Sequence, residues 1–271
     1  MVLPAYVGAL DHTERRKVAL ITGASSGIGL DLARLMAPDF DLVITARHAD
    51  QLDKFALELQ AQHGNHVHAI AGDLSRPGVP QEILSEVERR GLAVDILINN
   101  AGFGASGAFA DSNLQNELEM IELNIAALTA LTKLVLPGML KRRWGKIMNV
   151  ASTAGFQPGP WMAVYYATKA YVILFSEAIA NELKGSGVTV TCLCPGATAT
   201  NFAGRAGMEH SRLFRLGAMR SLDVARAGYK GMMRGRTMVI PGWLNKALAM
   251  SVRFSPRKLV TAISGSLQQE A

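Results

Sequence analysis

Three glycines follow directly on a short apolar run, and few folds tolerate that arrangement. Val18-Ala-Leu-Ile-Thr22 reads as a buried strand, Gly23-Ala-Ser-Ser-Gly27-Ile-Gly29 as a turn, and 30–37 as a helix. A strand that turns this sharply into a helix, with its backbone approaching a ligand, has no room for side chains at Gly23, Gly27 and Gly29. The helix start then presents unpaired N–H groups and the positive end of its dipole, a natural seat for phosphate. An ordinary tight turn would also use glycine. The strand–loop–helix context is what favours a nucleotide.

The alternation continues along the chain. Further strands are expected at 41–45, 67–71, 96–99, 146–150 and 188–193, with helices at 50–62 (capped by Asp50), 79–90, 114–140 and 162–184. Near-continuous apolar strands separated by crossover helices predict an α/β fold, a doubly wound parallel sheet with helices on both faces. No repeat or linker divides residues 1–271, so a single domain is expected. Residues 1–16 form an N-terminal extension, 197–220 a substrate lid, 238–240 a short strand and 243–271 a C-terminal helical tail. Lys246, Arg253 and the Pro256-Arg257-Lys258 turn interrupt that tail, so it does not span a bilayer. It packs against the domain or a sister subunit, or lies on a membrane surface by its apolar face.

Composition narrows the class. With 49% hydrophobic and 18% charged residues, the chain is too apolar for disorder. Two cysteines, Cys192 and Cys194, exclude a disulfide framework and suggest a reducing, cytoplasmic setting. No run reaches the ~18 apolar residues of a membrane span, and residues 1–17, with Asp11 and Glu14, do not read as a secretory signal. The net charge of +6 is concentrated where Arg205, Arg212, Arg215, Arg220, Arg226, Lys230, Arg234 and Arg236 face only Glu209 and Asp223. Phe214 and Tyr229 are the sole aromatics there, which argues against base stacking and a nucleic-acid partner. That segment is either a solvated pair of helices or a docking surface for an acidic substrate handle, acidic partner or anionic lipid. The Cys192-Leu-Cys194 spacing fits core packing, and His63, His66 and His68 lack companions for a metal, so no metal is expected. Ser152 lies in Ala-Ser-Thr-Ala-Gly, not in the elbow of a serine hydrolase.

Four motifs together resemble those of the short-chain dehydrogenase/reductase family: Thr22-Gly-Ala-Ser-Ser-Gly-Ile-Gly29, Asn99-Asn-Ala-Gly102, Tyr165-Tyr-Ala-Thr-Lys169 with Ser152 upstream, and Pro195-Gly196. The likeness runs from about residue 17 to 200 and implies a Rossmann-type fold binding a nicotinamide nucleotide. It assigns Gly23, Ser25, Ser26, Gly27, Ile28 and Gly29 to the phosphate loop, and Asp73 and Leu74 to the adenine. Asn99, Asn100, Ala101 and Gly102 fall to the adenosine side; Pro195, Gly196, Thr198 and Thr200 fall to the nicotinamide. Where the family's NAD-binding members carry an acid at the end of the second strand, this chain has Arg47. A guanidinium fork suits a 2′-phosphate, so NADP(H) is favoured over NAD.

At the reacting centre Tyr165 is the expected proton carrier, and Lys169, one helical turn on, shares its face. The ammonium is expected to lower the phenol's pKa and, by resemblance, to hold the nicotinamide ribose. Tyr166 has no lysine four residues later and reads as packing or pocket wall; Tyr171, six residues past Tyr165, falls on a different helix face and reads as packing. Ser152 orients the substrate oxygen, and Asn124, by resemblance, supports a water leading from Lys169. Phe103, Phe156, Trp161, Met162 and Phe202 predict an apolar pocket. The expected activity is NADP(H)-dependent interconversion of an alcohol and an apolar, lipid-like, 3-oxoacyl or steroid-like ketone, by a homodimer or homotetramer. The competing readings are a non-catalytic nucleotide sensor or scaffold, and a peripheral membrane protein.

Overall fold

Seven parallel strands form the centre of the computed structural model, which describes residues 15–207 and 217–268. Most of the expected N-terminal extension, Arg212 and Arg215 of the basic segment, the Arg205 side chain, part of the expected lid and residues 269–271 lie outside the described residues. The first half runs β1 (Val18–Thr22), α1 (Gly27–Met36), β2 (Asp41–Ala46), α2 (Ala49–His63), β3 (Val67–Ala71), α3 (Val79–Arg89) and β4 (Val94–Asn99). Then come α4 (Leu114–Ile121), a π turn (Glu122–Ala127), α5 (Leu128–Arg142), β5 (Gly145–Val150), α6 (Ala163–Glu182) and β6 (Val188–Leu193). The last part comprises β7 (Thr198–Ala199), α7 (Phe202–Ala206), β8 (Met219–Arg220), α8 (Ser221–Met233), β9 (Met238–Val239), α9 (Trp243–Ser251) and α10 (Arg257–Gln268).

Strand order is β3-β2-β1-β4-β5-β6-β9, so the winding reverses between β1 and β4. Val18–Thr22 pairs residue for residue with 41–45 on one side, and Ala19–Ile21 with 96–98 on the other. Successive side chains of a strand face opposite ways. Accordingly Ala19 and Ile21 join Leu32, Met36, Val224 and Met232 on one face, while Val18 and Leu20 join Ile83, Val87, Leu131 and Val135 on the other. Both faces are covered, which is why the run is apolar throughout.

Three local expectations change. Asp50 is not the cap of α2: His48 holds that position, and Asp50 lies in the first turn, where its charge complements the helix dipole. The α1 helix begins at Gly27 rather than residue 30, bringing its N–H groups to the glycine turn. The 114–142 helix is continuous but contains the π turn. At 29 residues this helix is long and apolar enough to cross a membrane by length and composition. Here Ala127, Leu131, Val135 and Met139 pack onto the sheet.

Candidate active site

In a parallel doubly wound sheet, ligands bind beyond the carboxyl ends of the strands at the reversal of winding. A cleft of about 500 Å³ lies there, taking Gly23 from the end of β1, Arg47 from β2, Asp73 from β3, Asn100 from β4, Ser152 from β5 and Pro195 from β6.

Its nucleotide end is made of backbone. Gly23 and Gly27 have φ of +66° and +55°, and a Cβ on Gly23 would sit 2.8 Å from Asn100 Nδ2 and 2.9 Å from the Ala101 Cα. A Cβ on Gly27 would meet the Thr200 methyl at 2.9 Å, so the loop after β6 closes onto this turn. Gly29 serves a different purpose: its Cβ would strike the Gly23 carbonyl, so the third glycine lets the helix pack on its own loop. Thr22 ties the turn to the neighbouring strand end, since its Oγ1 accepts from the N–H of Asn100 and of Ala101, both at 2.9 Å. Asn100 Nδ2 donates back to the Thr22 carbonyl at 2.9 Å. Ser25, Ser26, Ile28, Leu74, Ala101 and Gly102 line the cleft.

Arg47 is exposed at the rim. Burial acts to raise the Asp73 carboxyl, but hydrogen bonds from Ser75 Oγ (2.7 Å) and Ser75 N (3.1 Å), with the Arg47 and Arg76 charges, hold it below the usual range. Asp73 therefore folds its own turn and does not cap α3, which starts after Gly78. Asn99 is not a cleft residue. Its side chain is buried beneath the sheet edge and donates to Thr132 Oγ1 at 3.0 Å and Asn149 Oδ1 at 2.9 Å. Asn149 in turn donates to Ser176 Oγ. This buried polar chain links α5, the sheet and α6; the isolated asparagines gave no sign of it in the sequence.

At the inner end, α6 brings Tyr165 and Lys169 together, both buried, with the Lys169 Nζ 5.7 Å from the Tyr165 ring centre. Lys169 Nζ donates to the Val150 carbonyl at 2.9 Å. Burial lowers its pKa to about 8, opposed by the neighbouring Cys192 and Cys194. Burial also pushes the Tyr165 phenol above its ordinary value, only partly offset by a hydrogen bond with Ser152. The expected depression by Lys169 does not appear: desolvation dominates the phenol, and Ser152, not the ammonium, is the group that opposes it. Ser152 accepts from Ala154 N and donates to the Pro195 carbonyl at 3.3 Å, so β5 and β6 fix its hydroxyl. Asn124, in the π turn, is buried and does not line the cleft. Its side chain pairs with both backbone groups of Phe103 and with Thr168. It nonetheless lies close to the lysine: a Cβ on Gly102 would be 2.9 Å from Asn124 Oδ1 and 3.5 Å from Lys169 Nζ. Such π turns recur at functional sites.

Thr198 and Thr200 hold the loop after β6. Thr198 Oγ1 donates to the Gly196 carbonyl and Thr200 Oγ1 accepts from Phe202 N. Phe202 then packs against Tyr165 with the ring planes tilted by 46° and the ring centres 5.3 Å apart. Phe103, Met162 and Phe202 line the substrate end as expected, but Phe156 and Trp161 do not. Phe156 faces a second cavity, and Trp161 is 42% exposed in a left-handed turn.

Tyr166 lines the wall, one of its two expected roles, and beside it stand polar residues that the sequence reading missed: Gln157, Ser264 and Gln268. The last two come from α10, whose row Val260, Ser264, Gln268 faces inward. Gln268 donates to the Tyr166 phenol, and its Oε1 has no partner among the described residues. Burial raises the Tyr166 pKa, opposed by the neighbouring Ser264 and Gln268 side chains. Only the i, i+4 spacing of small and polar residues in α10 could have hinted at this. Asn245 of α9 packs where a Cβ on Gly196 would fall, so the tail also braces the nicotinamide-side loop.

A nucleotide-shaped backbone cradle facing a buried phenol–ammonium pair defines the class of site as that of an oxidoreductase. The family model for short chain dehydrogenases matches residues 17–210. A protein of Streptomyces coelicolor named for ketoacyl reduction is 34% identical over 214 residues, 78% of this chain and 82% of that one. The short-chain dehydrogenase from Sphingobium yanoikuyae, solved in complex with NADPH, superposes with a TM-score of 0.78 at 34% identity, over 90% of this chain and 94% of that one. The bulky-bulky ketone specific alcohol dehydrogenase of Comamonas testosteroni gives 0.74 at 31%, over 88% and 92%. The chain belongs to the short-chain dehydrogenase/reductase family of oxidoreductases.

Proposed function

We propose that this protein is an NADP(H)-dependent ketone reductase acting on bulky carbonyl compounds with an apolar body and a polar end. The carrying observation is the convergence of Ser152, Tyr165 and Lys169 at the inner end of a cleft whose outer end is the Gly23–Gly27 cradle. That cradle fits a dinucleotide, because its two left-handed glycines leave the backbone bare where a diphosphate would press. Arg47 at the rim would hold the 2′-phosphate, Asp73 and Leu74 would flank the adenine, and Lys169 would hold the ribose. The NADPH bound to the Sphingobium relative supports this choice. When bound, the nicotinamide supplies or accepts the hydride.

The chain's own groups handle the proton. Ser152, its hydroxyl turned from the Pro195 carbonyl, donates a hydrogen bond to the substrate's carbonyl oxygen and steadies the charge developing there. Tyr165 gives that oxygen its proton, and the Lys169 ammonium stabilises the phenolate left behind. A phenol raised by burial and an amine that keeps its proton up to about pH 8 are both in donor form at neutrality, which favours reduction. Asn124 positions the Phe103 segment beside the lysine. Phe103, Met162 and Phe202 hold the apolar body of the substrate, while Gln157 and Gln268 reach its polar end. The ketoacyl and bulky-ketone relatives support this class.

A homo-oligomer formed over the exposed Leu114, Leu118, Leu134 and Leu174 accompanies this reading, as does a cytoplasmic setting that keeps Cys192 and Cys194 reduced. NADPH oxidation across a panel of aliphatic, aryl and 3-oxoacyl ketones, with Tyr165→Phe as control, tests it. Turnover lost in the variant is expected. Tight NADPH binding without turnover on any ketone would instead identify a nucleotide sensor.

A further inference from the structure

The C-terminal helices carry a surface that the chemistry above does not use. In α10 Ser264 and Gln268 face the cleft and Val260 the second cavity, so Leu259 and Ile263, one residue out of step, point outward, 53% and 52% exposed. In α9, Trp243, Leu244 and Leu248 are likewise exposed, and Phe254 between the helices is 85% exposed. Large apolar side chains left in water at this density mark a docking surface.

The charge around them identifies what docks. Lys246, Arg253, Arg257 and Lys258 are interleaved with these residues and all are exposed. From Val224 to Gln268 the chain has no aspartate or glutamate, against eight lysines and arginines. A second copy of the chain would set this face against itself across a two-fold axis, bringing the same four cations together with no acid among the described residues of these helices to offset them. Arg253 and Arg257 also line a cavity of about 740 Å³, whose walls include Phe156, Val252 and Val260, an apolar recess with cationic edges. Apolar side chains, an aromatic at a helix start and flanking cations are what an interfacial helix presents to a lipid surface.

We infer that α9, the Phe254 turn and α10 form an amphipathic anchor that lays the protein on an anionic bilayer. Because α10 is also a wall of the cleft, the docked protein holds its substrate end beside the lipid. The proposal stands independently of the catalytic reading, since its test reads binding.

Co-sedimentation of the full chain with phosphatidylcholine vesicles, with and without phosphatidylserine, decides it. Strong binding to the anionic vesicles and weak binding to the neutral ones is expected. Each cation at an anionic surface is worth about fivefold in partitioning, so Lys246→Gln with Arg253→Gln should weaken binding about 25-fold. Trp243→Ser with Phe254→Ser should lower it at least about tenfold, with the melting temperature unchanged as the folding control. Equal affinity for the two vesicle types, no sedimentation with either, or binding that survives both double variants would overturn the proposal. So would sedimentation velocity showing that the Trp243→Ser, Phe254→Ser variant turns a dimer into a monomer.

Discussion

The two ends of the cleft are built from different materials. The nucleotide end consists of main chain and short polar groups: the turns at Gly23 and Gly27, the Thr22 hydroxyl and the Asn100 amide. The substrate end is assembled from the side chains of Tyr166, Phe202, Ser264 and Gln268, on three helices far apart in sequence, and Met162 at the start of one of them. A backbone cradle admits almost no substitution, whereas a side-chain wall changes one residue at a time. One end fixes the chemistry and the other tunes its object.

That contrast is sharpest at the reacting centre, where the two ends meet. Tyr165→Phe should lower ketone reduction by about a thousandfold, in the range for losing a positioned proton donor, with NADPH affinity by fluorescence titration held within about twofold. Gly23→Ala should strike the nucleotide end alone. A left-handed φ costs about 1–2 kcal/mol for a residue with a Cβ, and the 2.8 and 2.9 Å approaches add to it. NADPH affinity should fall at least about thirtyfold, whereas the ranking of ketones by kcat/KM should not change. If the ranking shifted, the two ends would not be separable.

Arg47→Ala should raise the KM for NADPH about tenfold to a hundredfold, the worth of a charge-assisted hydrogen bond, and leave that for NADH unchanged. The pH dependence sharpens the role of Lys169. Burial lowers its pKa to about 8, so the ammonium is present below that value and lost above it. The kcat/KM for reduction, which reports the free enzyme, should fall with a slope approaching tenfold per pH unit beyond about pH 8. Smallest is Gln268→Ala, which should alter the preference among ketones about fivefold without moving the NADPH dissociation constant.

The same divide explains what could be read from the sequence. The strands, the doubly wound parallel sheet, the glycine turn and the Tyr165–Lys169 pair follow from local pattern and appear as expected, whereas the strand order, with its reversal between β1 and β4, is a tertiary fact. Asn99 illustrates the limit. It adjoins Asn100 in one motif, yet strand alternation turns it inward to Thr132 and Asn149 while its neighbour faces the cleft. Phe156 and Trp161 were grouped with the pocket because they adjoin its motifs, but the turn after β5 carries both away. The α10 helix was illegible for a different reason. An amphipathic helix records that it packs, not what it packs against, and only tertiary placement put Gln268 over Tyr166.

The Thr22 hydroxyl has a consequence for how the protein comes into being. Its hydrogen bonds reach Asn100 and Ala101, 78 and 79 residues further along. On a ribosome, the glycine turn therefore emerges long before the partners that shape it, and a fragment ending at α3 would have the motif without the seat. Competence to hold a nucleotide arrives only when β4 docks beside β1. Nucleotide-dependent protection of a nascent chain from protease would mark that moment.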